Sequence, residues 1–293
     1  MDERAQARLG ELLQRQSFAV VDGGLATQLE RLGADLNNSL WSARLLLDSG
    51  GAAMIKAVHR AYLDAGADVL ITSSYQASIE GFRQRGLGED DEARAEFWAD
   101  EDRRRGREWP LVAASIGPYG ATLHDGSEYR GDYGARMSQE EFIDFHLPRI
   151  RLLLADPALA PDLFACETVP CLKEGRALVK LFETHFPDQR LWLSFTCRDQ
   201  EHLSDGHKFS EAVVELQQSE VVAAVGVNCT SPQFIGGLLE SVRGSVRKPL
   251  VVYPNSGEGW DAAAQQWTPA DASDDITRIR AALRQLSQPA TPQ

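Results

Sequence analysis

The sequence has no run of about 18 apolar residues, the length a helix needs to cross a bilayer, so no membrane span is expected. Its first sixteen residues, MDERAQARLGELLQRQ, form a charged, helix-like segment without the apolar stretch of a secretory leader. Cysteine is scarce: Cys166, Cys171, Cys197 and Cys229 are the four in 293 residues. Four do not make a disulfide framework in a chain of this length, and a reduced, cytoplasmic protein is expected. Positive charge is in deficit too, with a formal net charge of −13. Phosphate binding needs clustered Lys and Arg, so nucleic acid is not an expected partner, and neither is a membrane.

What the sequence does contain is a repeating alternation. Short apolar runs occur at 18–24, 67–75, 110–120, 162–170, 190–199, 221–229 and 248–258, each ending in small or polar residues. Continuous apolar runs predict strands buried on both faces, as in parallel sheets. Helix-period segments lie between them at 50–67, 140–155 and 173–186, and a final helix is expected at 271–286. The alternation predicts one domain over residues 1–293, an α/β TIM-type (β/α)8 barrel, with a doubly wound sheet as the alternative. Only seven strands are legible. Residues 259–272 show no strand-like run, so the eighth strand is expected to be missing.

Polar residues gather just after the apolar runs: Asp22, Ser73, Ser74, Glu167, Thr168, Asn228, Cys229, Asn255 and Glu258. In a barrel these are the carboxyl ends of the strands, where sites are built. Asp22 and Glu167 are candidate substrate carboxylates, although Asp22 could instead cap the helix that follows it. Trp41 and Tyr75 are candidate aromatic residues of the site. Asn228 and Asn255 are candidates to position polar atoms of a substrate. Cys166 and Cys197 also lie near strand ends, but a small buried Cys packs well as an apolar group. His59, on a helix, is expected at the surface or in a cap. SEYRGDYG is expected to border the mouth of the site.

The stretches DGGLATQLERLGADLNNSLWSA (22–43), ITSSYQAS (71–78), ASIGPYGATLHDGSEYRGDYG (114–134), ACETVP (165–170), SFTCRDQEHLSDG (194–206), VGVNCTSP (225–232) and VVYPNSGE (251–258) resemble the homocysteine S-methyltransferase family. The branch that takes its methyl group from S-methylmethionine is the most similar, and S-adenosylmethionine is the other donor to expect. The resemblance implies a TIM barrel with zinc held by three cysteine thiolates, one of them Cys229. It also implies that the zinc-activated thiolate of L-homocysteine takes the methyl group to give methionine, with Trp41 and Tyr75 as aromatic faces for the donor's sulfonium cation. It implies that Asp22 and Glu167 hold the amino group of homocysteine. The other two zinc ligands belong to a GGCC motif on the eighth strand, which should fall near residue 268 and is absent from this sequence. About ten residues are also missing near 88–93 by the same comparison. With Cys229 alone, zinc affinity should collapse, since catalytic zinc keeps three protein ligands. The competing readings are a zinc-free, catalytically inactive amino-acid-binding barrel and a metal-independent barrel enzyme using Glu167 as acid or base.

Overall fold

The computed structural model describes residues 3–36, 45–46, 49–76, 88–157, 159–255, 259–261 and 266–268. Trp41, Glu258 and the helix expected at 271–286 lie outside the described residues.

Six parallel strands form one sheet: β1 (Val69–Ile71), β2 (Leu111–Ile116), β3 (Leu163–Val169), β4 (Leu191–Phe195), β5 (Val222–Asn228) and β6 (Leu250–Tyr253). Each pairs with the next in sequence, so the order never reverses. A doubly wound sheet needs a reversal, so that alternative is set aside for these strands. The first apolar run contributes only a bridge, Val21 to Val69, parallel to β1. Asp22 and then two glycines, Gly23 and Gly24, follow the bridge, and a helix begins at Leu25 before a ladder can build.

Helices fill the connections. They are α1 (Glu3–Gln16), α2 (Leu25–Arg31), α3 (Ser49–Ala65), α4 (Gly88–Ala99), α5 (Glu101–Arg104), α6 (Gln139–Leu153), α7 (Leu172–His185), α8 (Phe209–Leu216) and α9 (Pro232–Ser241). Helix α6 starts at a capping box in which Ser138 and Glu141 satisfy each other's backbone N–H groups. Among the described residues no helix is long and apolar enough to cross a membrane.

Successive strand residues point to opposite faces, and here both faces are apolar. Ile116, Phe164, Cys166, Leu193 and Val225 pack with helix residues such as Leu178, Phe182, Ala212 and Leu238 in the main core. Val69, Ala113, Ala165, Trp192, Ala224 and Val251 form a second cluster on the other face, which Leu9 of α1 also touches. Toward the carboxyl ends this second face turns polar, through Ser115, Glu167, Ser194 and Tyr253.

Residues 259–272 were expected to hold no strand. Instead Gly259–Asp261 (β7) pairs antiparallel with Gln266–Thr268 (β8). This is a local hairpin and not a parallel barrel strand. Trp260, Trp267 and Thr268 are the β-formers that single-period reading passes over in so short a segment. No parallel strand follows β6 among the described residues.

Candidate active site

The strand ends converge on two buried carboxylates. Asp22 lies one residue past the Val21 bridge, and its Oδ2 accepts a hydrogen bond from the Ile71 backbone N–H at 3.0 Å. The N-cap of α2 is Gly24, so Asp22 belongs to the sheet end and does not cap that helix. His59 Nδ1 stands 3.8 Å from the Asp22 carboxylate, and the ring is fully buried. That corrects the expectation of a surface or capping histidine. Ala52, Ile55, His59 and Leu63 are all buried along α3, so His59 lies on the stripe that faces the core.

Glu167, on β3, accepts from the Ser115 hydroxyl on β2 and from the Tyr253 hydroxyl on β6, the latter at 2.9 Å. Tyr253 is held in turn by the Trp192 indole N–H at 3.1 Å and by Ser194 at 2.9 Å. Burial pushes the Glu167 carboxyl up to about 7, against the pull of its two hydroxyl donors, and the neighbouring Asp22 charge adds to the rise. Two buried carboxylates at one end of the sheet repel each other, and a cation between them removes the repulsion.

Cys229 follows β5 directly. Thr168 and Cys229 both have positive φ, 59° and 45°, a strained region for side chains that branch or carry a Cβ. Asn228 ties the two together. Its Oδ1 accepts from the Thr168 backbone N–H at 2.7 Å, and its Nδ2 donates to Thr168 Oγ1 at 2.8 Å and to Cys229 Sγ at 3.3 Å. The Asn228 side chain is fully buried. Burial raises the Cys229 thiol to about 11, with Thr168 and Asn228 pulling down and Glu167 pushing up. At neutral pH it is therefore a thiol.

Tyr75 interacts electrostatically with Cys229 and Glu167 and hydrogen-bonds the Thr168 side chain. Its carbonyl accepts from Arg149 Nη2 at 3.0 Å, and Gly117 allows its ring to pack close. Asn255 is exposed, and its backbone N–H donates to the Thr230 carbonyl at 3.1 Å. So Asp22, Glu167, Tyr75, Asn228 and Cys229 gather at one end of the sheet, and Asn255 lies at the edge. Sequence reading missed Ser115 and Tyr253. The available signal was the two-residue period, which sets Ser115 and Tyr253 on the same sheet face as Glu167.

The three-thiolate zinc site does not fit. All four cysteines and six histidines of the sequence are among the described residues, and no group of three metal-ligating side chains occurs there. Cys166 is one residue from Glu167 and therefore points to the helix side of the sheet, into the main core. Cys197 joins the same core, and Cys171 packs with Tyr133 and Phe142. Burial raises all three of these thiols. Cys229 alone faces the carboxylate end, fewer ligands than a catalytic zinc requires.

The family model for homocysteine S-methyltransferase matches residues 19–283. The chain is 44% identical over 276 residues to homocysteine S-methyltransferase YbgG of Bacillus subtilis, covering 90% of this chain and 85% of that protein. It is 46% identical over 268 residues to homocysteine S-methyltransferase 1 of Zea mays, covering 86% and 81%. The metallated crystal form of the homocysteine methyltransferase MmuM from Escherichia coli superposes with a TM-score of 0.79 at 39% identity, covering 94% of this chain and 92% of that one.

Proposed function

This chain belongs to the homocysteine S-methyltransferase family, and from that premise we propose that its strand-end cup binds L-homocysteine and methylates the sulfur to give methionine. The methyl donor in this reading is a sulfonium, S-methylmethionine first and S-adenosylmethionine second. The observation that carries it is that Asp22, beside β1, and Glu167, on β3, are two buried carboxylates at the same end of the sheet, near enough for the Asp22 charge to act on Glu167. An ammonium group is the natural occupant between them. The strands' barrel order supports a TIM-type barrel with its site at the carboxyl ends.

The homocysteine thiol gives its proton to solvent, and the sulfur attacks the donor methyl carbon in line. The new S–C bond forms as the donor C–S bond breaks, and the bonding pair stays on the donor sulfur as a neutral thioether. No general base acts in the transfer itself, so positioning supplies much of the rate. Tyr75 offers an aromatic face to the sulfonium, a role Trp41 would share. Asn228 fixes Cys229 and Thr168, and Asn255 stands ready at the rim for a polar group of substrate. Zinc, the cofactor that the resemblance implies, would meet Cys229 alone, fewer protein ligands than a catalytic ion needs. Four free cysteines suit a reduced, cytoplasmic setting.

The lack of a three-thiolate set favours one second reading, an amino-acid-binding barrel without transfer. Incubation with homocysteine and methyl-deuterated S-methylmethionine separates the two. Labelled methionine accumulating over many turnovers supports methyl transfer. Homocysteine binding with no labelled product supports the second reading.

A further inference from the structure

The loop after β2 is built to a fixed shape. Asp125 Oδ1 accepts from the Ser127 backbone N–H at 2.9 Å, and Arg130 donates to the Asp125 carbonyl at 2.8 Å and to Ser127 Oγ at 3.1 Å. Gly131, at φ +68°, closes the loop through a 2.9 Å bond from its N–H to the Ser127 carbonyl. A Cβ on Gly131 would come within 2.9 Å of the Pro170 carbonyl, so this glycine lets the loop press against the end of β3. A Cβ on Gly120 would come within 2.7 Å of the Glu128 backbone nitrogen, so the loop is seated from that side as well.

Glu128 is half-buried on this loop, and its Oε2 is shielded from solvent with no hydrogen-bond partner. A charged oxygen left this way is costly unless a ligand completes it. His124 and Arg130 lie near enough to attract the carboxylate and Asp125 to repel it. Arg130 already donates from Nη1 and Nη2 to Asp125 and Ser127. Glu128 and Tyr129 lie near enough to Cys229 to act on it electrostatically, as Tyr75 does from the neighbouring connection after β1.

We propose that Glu128 forms the charge-binding part of the subsite for the methyl donor, its carboxylate taking the positive charge of a sulfonium. The inference rests on the reading of methyl transfer above and adds which residue selects the donor. Homocysteine is a zwitterion, and its ammonium belongs to Asp22 and Glu167. The donor carries one further positive charge, and that charge is lost when the methyl leaves. A poorly hydrated carboxylate therefore holds the donor more tightly than the neutral thioether product.

Calorimetric titration of the full chain and of Glu128→Gln with S-methylmethionine, methionine and L-homocysteine tests this. Glu128→Gln is expected to weaken S-methylmethionine about tenfold or more, the loss of one charge-assisted contact. Homocysteine affinity should stay within about twofold, and the wild-type preference for S-methylmethionine over methionine should shrink. Unchanged donor affinity in Glu128→Gln overturns the inference alone. Equal loss for homocysteine also overturns it, because Glu128 would not then be selecting the donor. A wild-type chain that binds neither homocysteine nor S-methylmethionine overturns the underlying reading, and the inference falls with it.

Discussion

Glu167 stands at the edge of ionisation, and that has consequences at the scale of single residues. Its folded value of about 7 lies above its ordinary 4.5, chiefly through burial. Between those values the folded chain binds more protons than the unfolded one, so this group's contribution to stability falls as pH rises through the window. Ligand binding runs the other way, because an ammonium favours the ionised carboxylate. Homocysteine affinity should rise between about pH 6 and 8, as followed by calorimetry at fixed ionic strength. Tyr253→Phe removes a donor that pulls the value down, so the midpoint of that rise should move to higher pH; an unmoved midpoint would assign the titration to another group. Asp22, Glu167 and Cys229 were legible in the sequence because charged and sulfur side chains are rare at the ends of apolar runs. Ser115 and Tyr253 were not, because a hydroxyl beside an apolar run looks the same whether it meets a carboxylate or a backbone. His59 was misread because one polar residue on an apolar helix stripe gives no sign of a buried partner. Glu128 was hidden in a polar loop, where only the fold shows which side chain turns inward.

At the scale of elements, the site depends on close strand contacts and on one lock. A Cβ on Gly226 would collide with the Val251 backbone carbonyl, across the pairing of β5 with β6. Gly226→Ala should therefore cost about 3 kcal/mol or more in chemical denaturation, since neither backbone can yield within the sheet. Asn228 holds two positive-φ residues together, and its loss leaves the Thr168 backbone N–H unpaired in a buried setting. Asn228→Ala should cost about 1–3 kcal/mol. Farther back, Glu174 is fully buried, accepts from the Tyr119 N–H and the Tyr133 hydroxyl, each at 2.6 Å, and meets His146 at 2.9 Å. It ties α7 to the loop that carries Glu128. Strands β1 to β6 could be read from the sequence because parallel strands buried on both faces appear as unbroken apolar runs. The first run could not be distinguished from a strand, since the glycines that end its pairing also occur at true strand ends. The β7–β8 hairpin was invisible because three-residue strands carry too little period to register.

For the whole molecule, six parallel strands in sequence order bring distant residues to one end, and this arrangement was the most legible feature of all. The alternation of apolar runs and helical segments fixes such an order with little need for side-chain detail. The metal is where sequence and family part company. The missing GGCC pair was visible in the sequence, and the fold adds that Cys166 and Cys197 cannot replace it, because each packs among apolar side chains in the main core. Dialysis against a strong chelator should accordingly leave homocysteine affinity unchanged within about twofold, and elemental analysis should find zinc well below one equivalent. The central claim is that two buried carboxylates read the ammonium of the amino acid. Calorimetry comparing L-homocysteine with 4-mercaptobutanoate, which keeps the thiol and carboxylate but lacks the ammonium, tests it most directly. The account predicts that the analogue binds about a hundredfold more weakly, the loss of a charge-assisted contact to a buried carboxylate pair. Equal affinities for the two ligands would contradict it.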